Sequence, residues 1–545
     1  MMKLLNFKNK NGITLIALVI TIIVMLILAA ISLTMLTGDN SILQRAIEAK
    51  EKTRDETQKE ALDLAILGVL SNPLGNDEIT KQNLEDELNK SSEAGNFEIT
   101  ESGSYVIVSF TKGKTYRVSK SGETDNYSTS EETIASVESP EDADIRIKLS
   151  ISGTRVTTPP MPSGFRHTTG SISDGYVITD GTNEFVWIPV DQNQKIKLEV
   201  TANENISSIK LYHPDGTPTS YTATGTSYEN ATIDPTTNGV YIATTYTETG
   251  KAAVKVLQVY SLYSHIITQI REDTLSSFGF SSIEQAEQQF EGYKTNVDVE
   301  MGNFFQSVTN NSGYVDMIDY SSSVEANGGF YIGRYEIGAT KYRTSGNSNA
   351  TVSDIISTNG KSICGANQIP YINITLSQAR GLAESMYVRK GFTCSLLTGS
   401  AWERTLAFLQ EEGSNNKTSS ELYTNCKNWG NYEDADYTVA NTNARYKIMT
   451  ESSTNPFYSI ETSYLKEAGS QILFTTGATE RNTAKNIYDL AGNLGEWILE
   501  KDSTDSSVIV RGGAYLSNGI TVIDRFKTEA DYAHNSIGFR PALYL

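Results

Sequence analysis

Cysteine and histidine are scarce in this sequence. The chain of 545 residues contains four histidines and three cysteines, Cys364, Cys394 and Cys426. Because there are so few cysteines and no Cys-x-x-Cys pair, a disulfide scaffold is excluded. Any two of the cysteines could form a bridge, which would leave the third as a buried thiol.

Basic residues are also fewer than acidic ones. Lys and Arg together number 45 against 65 Asp and Glu, which gives a formal net charge of -20. A nucleic-acid partner is therefore not expected, because no basic patch supplies phosphate contacts. The acidic balance fits a solvated extracellular surface. The 29 tyrosines, with much Ser, Thr, Asn and Gly, are typical of β-rich modules with adaptable polar faces.

One long apolar segment occurs, close to the amino terminus. No charged residue lies between Ile13 and Gly38, and residues 13–36 would form a helix of about 36 Å, enough to span a bilayer. The preceding residues 1–12 contain lysines and no acid, so that end is expected to stay cytoplasmic. The sequence therefore predicts a single-pass membrane protein, anchored through residues 13–36, whose remaining chain lies outside the cell.

The start of this segment, Gly12-Ile13-Thr14-Leu15-Ile16, resembles the class III signal of type IV prepilins. In that family a prepilin peptidase cleaves after the Gly that ends a basic leader, which maps here onto Gly12 and Ile13. The resemblance implies a leader at residues 1–12 and a helix that anchors the protein or joins other pilins. The family usually has Glu at the fifth mature position, where this chain has Ala17. That difference favours a tip or minor subunit, or a pilin-like anchor, over the body of a filament. A plain signal anchor is the alternative.

The segments that follow predict a multidomain α+β protein. The helical period continues to about Leu70, so residues 13–70 are expected to form one long transmembrane helix and stalk. Residues 71–121 predict a small α/β head, with a short helix from Thr80 to Lys90 and a hairpin around Gly113. Residues 122–145 are rich in acids and lack Lys, so an extended, self-repelling linker is predicted there.

A change of pattern marks residues 193–260. Short alternating runs of Ile, Leu and Val separated by turn residues predict an inserted immunoglobulin-like β-sandwich, which is expected to act as a spacer. Before it, Phe185–Val190 reads as a buried strand. We assign residues 146–192 and 261–545 to one C-terminal domain that the sandwich interrupts.

Six motifs follow one another in the C-terminal part. They are a strand at 329–337, helix starts at 374–383 and 396–404, a loop at 486–497, Arg511-Gly512-Gly513, and the closing Gly538-Phe539-Arg540. In this order they resemble the sulfatase-modifying-factor family, of the formylglycine-generating-enzyme type. The resemblance implies a C-type-lectin-like α+β domain.

The enzymatic branches of that family hold a redox metal, and this chain departs from their patterns. The copper enzymes use two cysteines between the Arg-Gly-Gly and Gly-Phe-Arg motifs, and residues 511–540 contain none. Iron-dependent relatives need a histidine cluster, whereas His167, His213, His265 and His534 are scattered. The expectation is a non-catalytic module without a redox metal. A metal-dependent oxidase and a structural minor pilin capping a filament are the alternatives.

A structural calcium is the cofactor that the resemblance still allows. If the calcium ligands of that family are carried over to the matching positions of this sequence, they are Asp489, Gly492, Leu494 and Glu496. Carboxylate and carbonyl oxygens suit Ca²⁺. The equally weighted alternative is that Asp489 caps a turn while Glu496 pairs with a cation such as Arg511 or Arg540.

The last candidate site is the window between Arg511 and Arg540. Retroelement-diversified proteins of this fold vary surface residues there to bind different ligands. The contact residues expected here are Tyr515, Ser517, Asn518, Arg525, Lys527, Asp531, Tyr532, His534 and Asn535. Adaptable side chains on a rigid scaffold are typical of binding faces, although an ordinary polar loop is the alternative for each residue. We expect a bacterial, surface-displayed or pilus-borne, adhesin-like protein for an extracellular protein or glycan.

Overall fold

A computed structural model describes residues 42–71, 78–102, 105–139, 141, 143–213, 217–233, 239–259, 316–388, 391–501 and 507–545. Gly12, Ile13 and the apolar segment 13–36 lie outside these ranges. Within them, none of the helices has both the length and the apolar character that a bilayer span requires. The chain divides into two compact units, one ending at Tyr127 and the other beginning at Ser128.

The first unit consists of two helices and one antiparallel sheet. Its elements are α1 (Ile42–Leu70), α2 (Lys81–Leu88), β1 (Phe97–Ser102), β2 (Tyr105–Phe110), β3 (Thr115–Ser119) and β4 (Thr124–Tyr127), and the strands follow the order β1-β2-β3-β4. Helix α2 starts where Thr80 accepts a bond from the backbone N–H of Asn83, whose side chain accepts in return from Thr80. One face of α1, including Leu62 and Ile66, is buried against this sheet.

The acidic segment after the head forms strands instead of the extended linker that its composition predicts. β4 (Thr124–Tyr127) closes the first sheet, and β5 (Thr129–Glu138) pairs with the strand that starts at Ile145. The prediction was wrong for this segment because it rested on the count of acids, whereas β5 pairs along its length with β6 and Glu138 is offset by Arg146 at 3.1 Å.

The second unit begins with a β-sandwich and three strands that leave it. The strands are β5 (Thr129–Glu138), β6 (Ile145–Val156), β7 (Arg166–Thr169), β8 (Val177–Thr179), β9 (Glu184–Pro189), β10 (Gln192–Ala202), β11 (Ile206–Tyr212), β12 (Pro218–Tyr221), β13 (Ser227–Ile233), β14 (Gly239–Thr247) and β15 (Ala252–Val259). Two antiparallel sheets, β13-β10-β6-β5 and β12-β11-β14-β15, share one apolar core.

The sandwich therefore starts earlier than residue 193. Strand β6, which we assigned to the C-terminal domain, alternates Ile145, Ile147, Leu149 and Ile151 into the sandwich core. Only β7 to β9 of the 146–192 segment belong to the C-terminal sheet. The period-2 pattern predicts a strand with one buried face but does not identify the strands with which it pairs.

The C-terminal module contains β7 to β9 and the chain from Asp316 onward. Its further elements are α3 (Asp316–Asn327), β16 (Gly329–Gly333), β17 (Gly338–Ala339), α4 (Val352–Asn359), β18 (Ile369–Pro370), α5 (Leu376–Glu384), β19 (Thr393–Leu396), α6 (Gly399–Gln410), α7 (Ser419–Tyr423), β20 (Tyr437–Val439), β21 (Arg445–Ile448), β22 (Tyr458–Ser459), β23 (Tyr464–Lys466), β24 (Ile472–Phe474), β25 (Thr483–Ala484), β26 (Ile487–Tyr488), β27 (Gly495–Lys501), β28 (Val508–Arg511), β29 (Phe526–Thr528), β30 (Ile537–Gly538) and β31 (Pro541–Tyr544).

A six-stranded antiparallel sheet, β19-β31-β16-β9-β8-β7, forms the centre of the module. Neighbouring residues point to opposite faces: Val186 and Ile188 enter one apolar core, and Phe185 and Trp187 enter the other. Because both faces are covered, the strand Phe185–Val190 is apolar without alternation, as its sequence predicts.

A second sheet, β29-β28-β27-β30, carries the candidate window. β28 leads into the Arg511–Arg540 segment, β29 lies within that segment, and β30 pairs in parallel with β27 near its end. The window is therefore held to the scaffold at its start, middle and end.

Candidate functional site

The window between Arg511 and Arg540 folds around a groove of about 340 Å³, which we call the C-terminal groove. Its lining residues are Gly495, Val510, Gly513, Ala514, Leu516, Ser517, Ile520, Asp524, Arg525, Phe526, Tyr532, His534, Ser536 and Ile537. Gly513 has φ of +72°, and a Cβ there would lie 2.6 Å from the ring of Tyr432. The Arg-Gly-Gly motif thus lets the backbone turn against a buried tyrosine at the edge of the groove.

Large apolar side chains around the groove are exposed to solvent. Phe526 is 59% exposed, Ile520 43% and Tyr532 39%. The ring of Tyr532 lies parallel to that of His534, with centroids 5.7 Å apart. Folding leaves these surfaces uncovered, so the groove offers apolar area to a ligand.

Hydrogen bonds within the window hold the groove in shape. Ser517 accepts a bond from the backbone N–H of Ala514 at 3.0 Å, and Asp524 accepts from the backbone N–H of Thr521 at 2.6 Å. The carbonyl of His534 accepts a bond from the backbone N–H of Asn373, just before α5. The loop therefore rests on the scaffold beneath it, which lowers the entropy that binding would cost.

His534 presents one ring nitrogen to its own loop. Its Nδ1 accepts a bond from the backbone N–H of Ser536 at 3.2 Å, and the Ser536 hydroxyl lies 2.7 Å away. Partial burial lowers the pKa of His534, so the ring is neutral at pH 7. With Nδ1 accepting, Nε2 carries the proton and can donate a hydrogen bond.

The predicted contact residues fall into three groups. Ser517, Arg525, Tyr532 and His534 line the groove. Asn518, Lys527 and Asp531 are exposed, and Asn535 is half-buried. Tyr515 was expected at the surface but is only 1% exposed, and its hydroxyl donates to Asn535 at 3.1 Å. It packs in a small core with Ile372 and Leu494, which is a better environment for its ring than water.

Sequence reasoning missed the apolar members of the groove. Phe526, Ile520 and Leu516 are not among the contact residues predicted from the sequence, because that prediction rests on polar, adaptable side chains. The signal was present: these are large apolar residues within a segment otherwise rich in turn and polar residues.

A buried charge cluster lies beneath the groove. Glu500 is fully buried and faces two guanidinium groups, with Arg525 in contact and Arg511 at 3.8 Å. Arg511 also pairs with Glu403. Arg525 therefore lines the groove, but its positive charge is balanced by the buried carboxylate of Glu500.

A second buried cluster contains the residues predicted to hold calcium. Glu496 is 1% exposed, and both its oxygens accept bonds from Arg540 at 2.7 to 3.2 Å. Asp489 accepts from the backbone N–H of Gly477 at 2.7 Å, in a turn where its own φ is +53°. Arg540 also donates to the carbonyls of Gly333 and Tyr488.

As it is placed, Glu496 is not free to bind a calcium ion. The carboxylate of Glu496 is saturated by a guanidinium, which already supplies the positive charge that a cation would bring. Glu336 adds a third buried carboxyl group and accepts from Asn493 and from the N–H of Leu494. Burial, with Asp489 and Glu496 nearby, raises the pKa of Glu336 well above its usual range. The geometry matches the alternative interpretation, with Arg540 as the partner of Glu496. Across the described ranges, no group of three or more His, Cys, Asp or Glu is arranged to hold a metal.

The three cysteines are free and buried. Cys364 donates to the carbonyls of Glu184 and Tyr335, and Cys426 donates to those of Glu421 and Leu422. Burial raises the pKa of Cys364 to about 12, that of Cys426 to about 11, and that of Cys394 well above its usual range. As placed, these groups are protonated thiols, whereas metal ligation and nucleophilic attack need thiolates.

We therefore expect all three thiols of the native chain to resist dithionitrobenzoate at pH 8 and to react after unfolding in guanidinium chloride, because both access and thiolate formation are blocked in the fold. Absorbance of the released thionitrobenzoate measures the reaction. The variant Asn518→Cys, with its thiol on the exposed loop, should react at once. Rapid reaction of a native thiol would show that one cysteine is accessible and ionisable.

Comparison with known proteins identifies part of the chain. Residues 280–544 match the family model of the sulfatase-modifying factor enzyme 1-like domain. This confirms, for that region, the resemblance drawn from the six motifs. No curated protein matches the sequence.

Two solved structures are similar to this chain. One, described as the crystal structure of CarF, is 15% identical with a TM-score of 0.23, and the match covers 40% of this chain and 87% of that one. The other, Treponema denticola variable protein 1, is 12% identical with a TM-score of 0.20, and the match covers 40% of this chain and 96% of that one.

Proposed function

We propose that this chain, which carries a sulfatase-modifying factor enzyme 1-like domain at residues 280–544, is a surface-displayed binding protein and that its C-terminal groove takes a protein ligand. The observation that carries the proposal is the cluster of exposed Phe526, Ile520 and Tyr532 around a preformed groove. In this proposal the domain binds and does not catalyse.

The chemistry of the groove favours an apolar side chain on a folded or extended partner. Val510, Ala514 and Ile537 are buried residues that line it, and the polar groups Ser517, Asp524 and His534 lie among them. An apolar centre bordered by a few polar groups is the usual anatomy of a protein contact. A volume of about 340 Å³ accommodates one or two large side chains rather than a whole element.

The proposal includes display at the cell surface through the amino-terminal segment. Residues 13–36 would anchor the chain in the membrane, with processing at Gly12 and Ile13 by a prepilin peptidase and, in a pilus, contacts to other pilins. The support is the uncharged apolar run and the basic leader in the sequence. The C-terminal groove would then face the outside.

Panning a phage library of random peptides against the immobilised full-length chain tests the groove. Selected peptides should be rich in aromatic and aliphatic residues and should bind Phe526→Ser and Tyr532→Ser at least about tenfold more weakly, since each change removes apolar contact area. Binding is measured by biolayer interferometry.

Leu465→Ser is the matched control. Leu465 is 60% exposed on the same module but lies outside the groove lining, so this change removes similar surface without touching the site. It should leave peptide binding unchanged. Peptides that bind Phe526→Ser and wild type equally, or a library that yields no enriched sequence, would contradict the proposal and favour a purely structural subunit.

A further inference from the structure

A second, larger cavity lies between the β-sandwich and the C-terminal module. We call it the polar cleft, and its volume is about 900 Å³. Ser130 of β5 and Thr157, directly after β6, form one wall, and the loop 170–176 and the end of α6 form the other. The C-terminal groove shares none of these residues.

The floor of the cleft is an ionic network that joins the two modules. Arg155 of β6 donates to both oxygens of Asp191 at 2.6 and 2.7 Å and to Glu411 at 2.8 Å. Arg404 donates to the same Glu411 at 2.6 Å. These two cations and two anions balance, and the buried Lys485 beside them is offset by Asp174 of the loop, so the floor carries no net charge.

The loop that forms the outer wall is held at several points. Asn486 donates to the carbonyls of Asp174 and Gly175, and the backbone N–H of Ser414 donates to the Asp174 carboxylate at 2.6 Å. Gly170 has φ of +80°, and a Cβ there would lie only 2.1 Å from the carbonyl oxygen of Gly175. The loop is folded tightly on itself, so the wall exists before any ligand arrives.

The surface of the cleft combines an aromatic ring with an apolar side chain and hydroxyl groups. Tyr176 contributes a ring that is held in place by His167, which stacks on it with centroids 4.1 Å apart. The apolar Ile172 and the hydroxyl-bearing Ser130, Thr157, Ser171 and Ser173 also line the cleft. Aromatic surface next to many short hydroxyl groups matches a ligand with apolar faces and a hydroxyl rim.

We propose that the polar cleft is a second binding site and that its ligand is a neutral oligosaccharide. A sugar ring presents C–H groups on its faces and hydroxyl groups at its edge, which are the complements of Tyr176 and the serine and threonine walls. Because the floor is electrically balanced and Glu412 adds an exposed carboxylate at the rim, an acidic sugar would gain no ion pair and would meet repulsion. The volume accommodates a few sugar units.

A printed array of neutral, sialylated and uronate glycans, probed with the full-length chain, tests this proposal. Neutral glycans should bind and acidic ones should not. For the best neutral oligosaccharide, calorimetry should show roughly tenfold weaker binding to Tyr176→Ala, since the ring is removed, and no binding to Ser173→Trp, which fills the cleft from an exposed position. Tyr176→Phe keeps the ring and should bind as wild type does.

The groove variants separate this site from the first. Phe526→Ser should bind the oligosaccharide normally and lose the selected peptides, whereas Ser173→Trp should do the reverse. Far-ultraviolet circular dichroism confirms that each variant is folded, because Ser173→Trp adds a fifth tryptophan to the four of the chain and so alters the fluorescence signal. The proposal is overturned if no neutral glycan binds, if only acidic glycans bind, or if sugar binding follows Phe526 instead of Tyr176.

Discussion

Replacing Arg540 by methionine should lower the free energy of unfolding of the C-terminal module by about 3 to 5 kcal/mol. Arg540 is fully buried and saturates the buried carboxylate of Glu496. Methionine has a similar volume but no charge, so the variant leaves Glu496 as a desolvated anion without its partner. Two carbonyls, those of Gly333 and Tyr488, lose their donor as well. Urea unfolding followed by tryptophan fluorescence measures the change.

Two further variants show whether the loss arises from the buried charge. Arg380→Met breaks an exposed i,i+4 pair with Glu384 in the same module and should cost no more than about 0.5 kcal/mol. Combining Arg540→Met with Glu496→Gln should recover part of the loss, because the anion is then absent. If Arg540→Met unfolded at the wild-type urea concentration, Glu496 would need another source of positive charge. A stabilisation of that variant by added calcium would then revive the metal interpretation.

The choice between Arg540 and Arg511 illustrates what the sequence could not show. Both were candidate partners for Glu496. In the structure Arg540 pairs with Glu496, whereas Arg511 pairs with Glu403 and Glu500. The side chains that decide between them come from distant parts of the chain, and the motifs contain no information on which guanidinium enters which cluster.

Local features were predicted better than long-range ones. The helix start predicted at 374–383 is present as α5, where Thr375 accepts a bond from the backbone N–H of Gln378. The hairpin around Gly113 also forms as its alternation predicts. By contrast, β6 was assigned to the wrong sheet, since its partner β10 is separated from it by three intervening strands. β5 was taken as a linker although it pairs with β6, the next strand in the chain, because the prediction rested on its acidic composition.

The C-terminal groove was predicted from the sequence only in part. Its position between Arg511 and Arg540 came from the resemblance, and four predicted residues do line it. Tyr515 could not be distinguished from Tyr532 by sequence, because a tyrosine in a loop is equally compatible with a small core and with a surface. The difference arises from Ile372 and Leu494, which cover the ring of Tyr515.

A buried lysine should make the stability of the module depend strongly on pH above neutrality. Lys466 is 0% exposed, and its ammonium group donates to the carbonyls of Tyr432 at 2.7 Å and Ala435 at 2.8 Å. Burial lowers the pKa of Lys466 to about 8, against 10.5 for an unperturbed lysine. Between these values the unfolded chain binds more protons than the folded chain, so stability rises with pH by up to about 1.4 kcal/mol per unit.

Comparing wild type with Lys466→Met isolates this effect. Other titrating groups, including Lys485 with a pKa also lowered to about 8 by burial, are common to both proteins and cancel in the difference. From pH 8 to pH 10 the variant should therefore lose roughly 2 kcal/mol relative to wild type, because only wild type is relieved of a buried charge. Lys427→Met, which removes a half-exposed lysine paired with Asp434, controls for the loss of a lysine as such. Urea unfolding followed by tryptophan fluorescence at each pH gives both curves, and parallel curves for Lys466→Met and wild type would mean that the ammonium group of Lys466 is solvated rather than enclosed by the carbonyls.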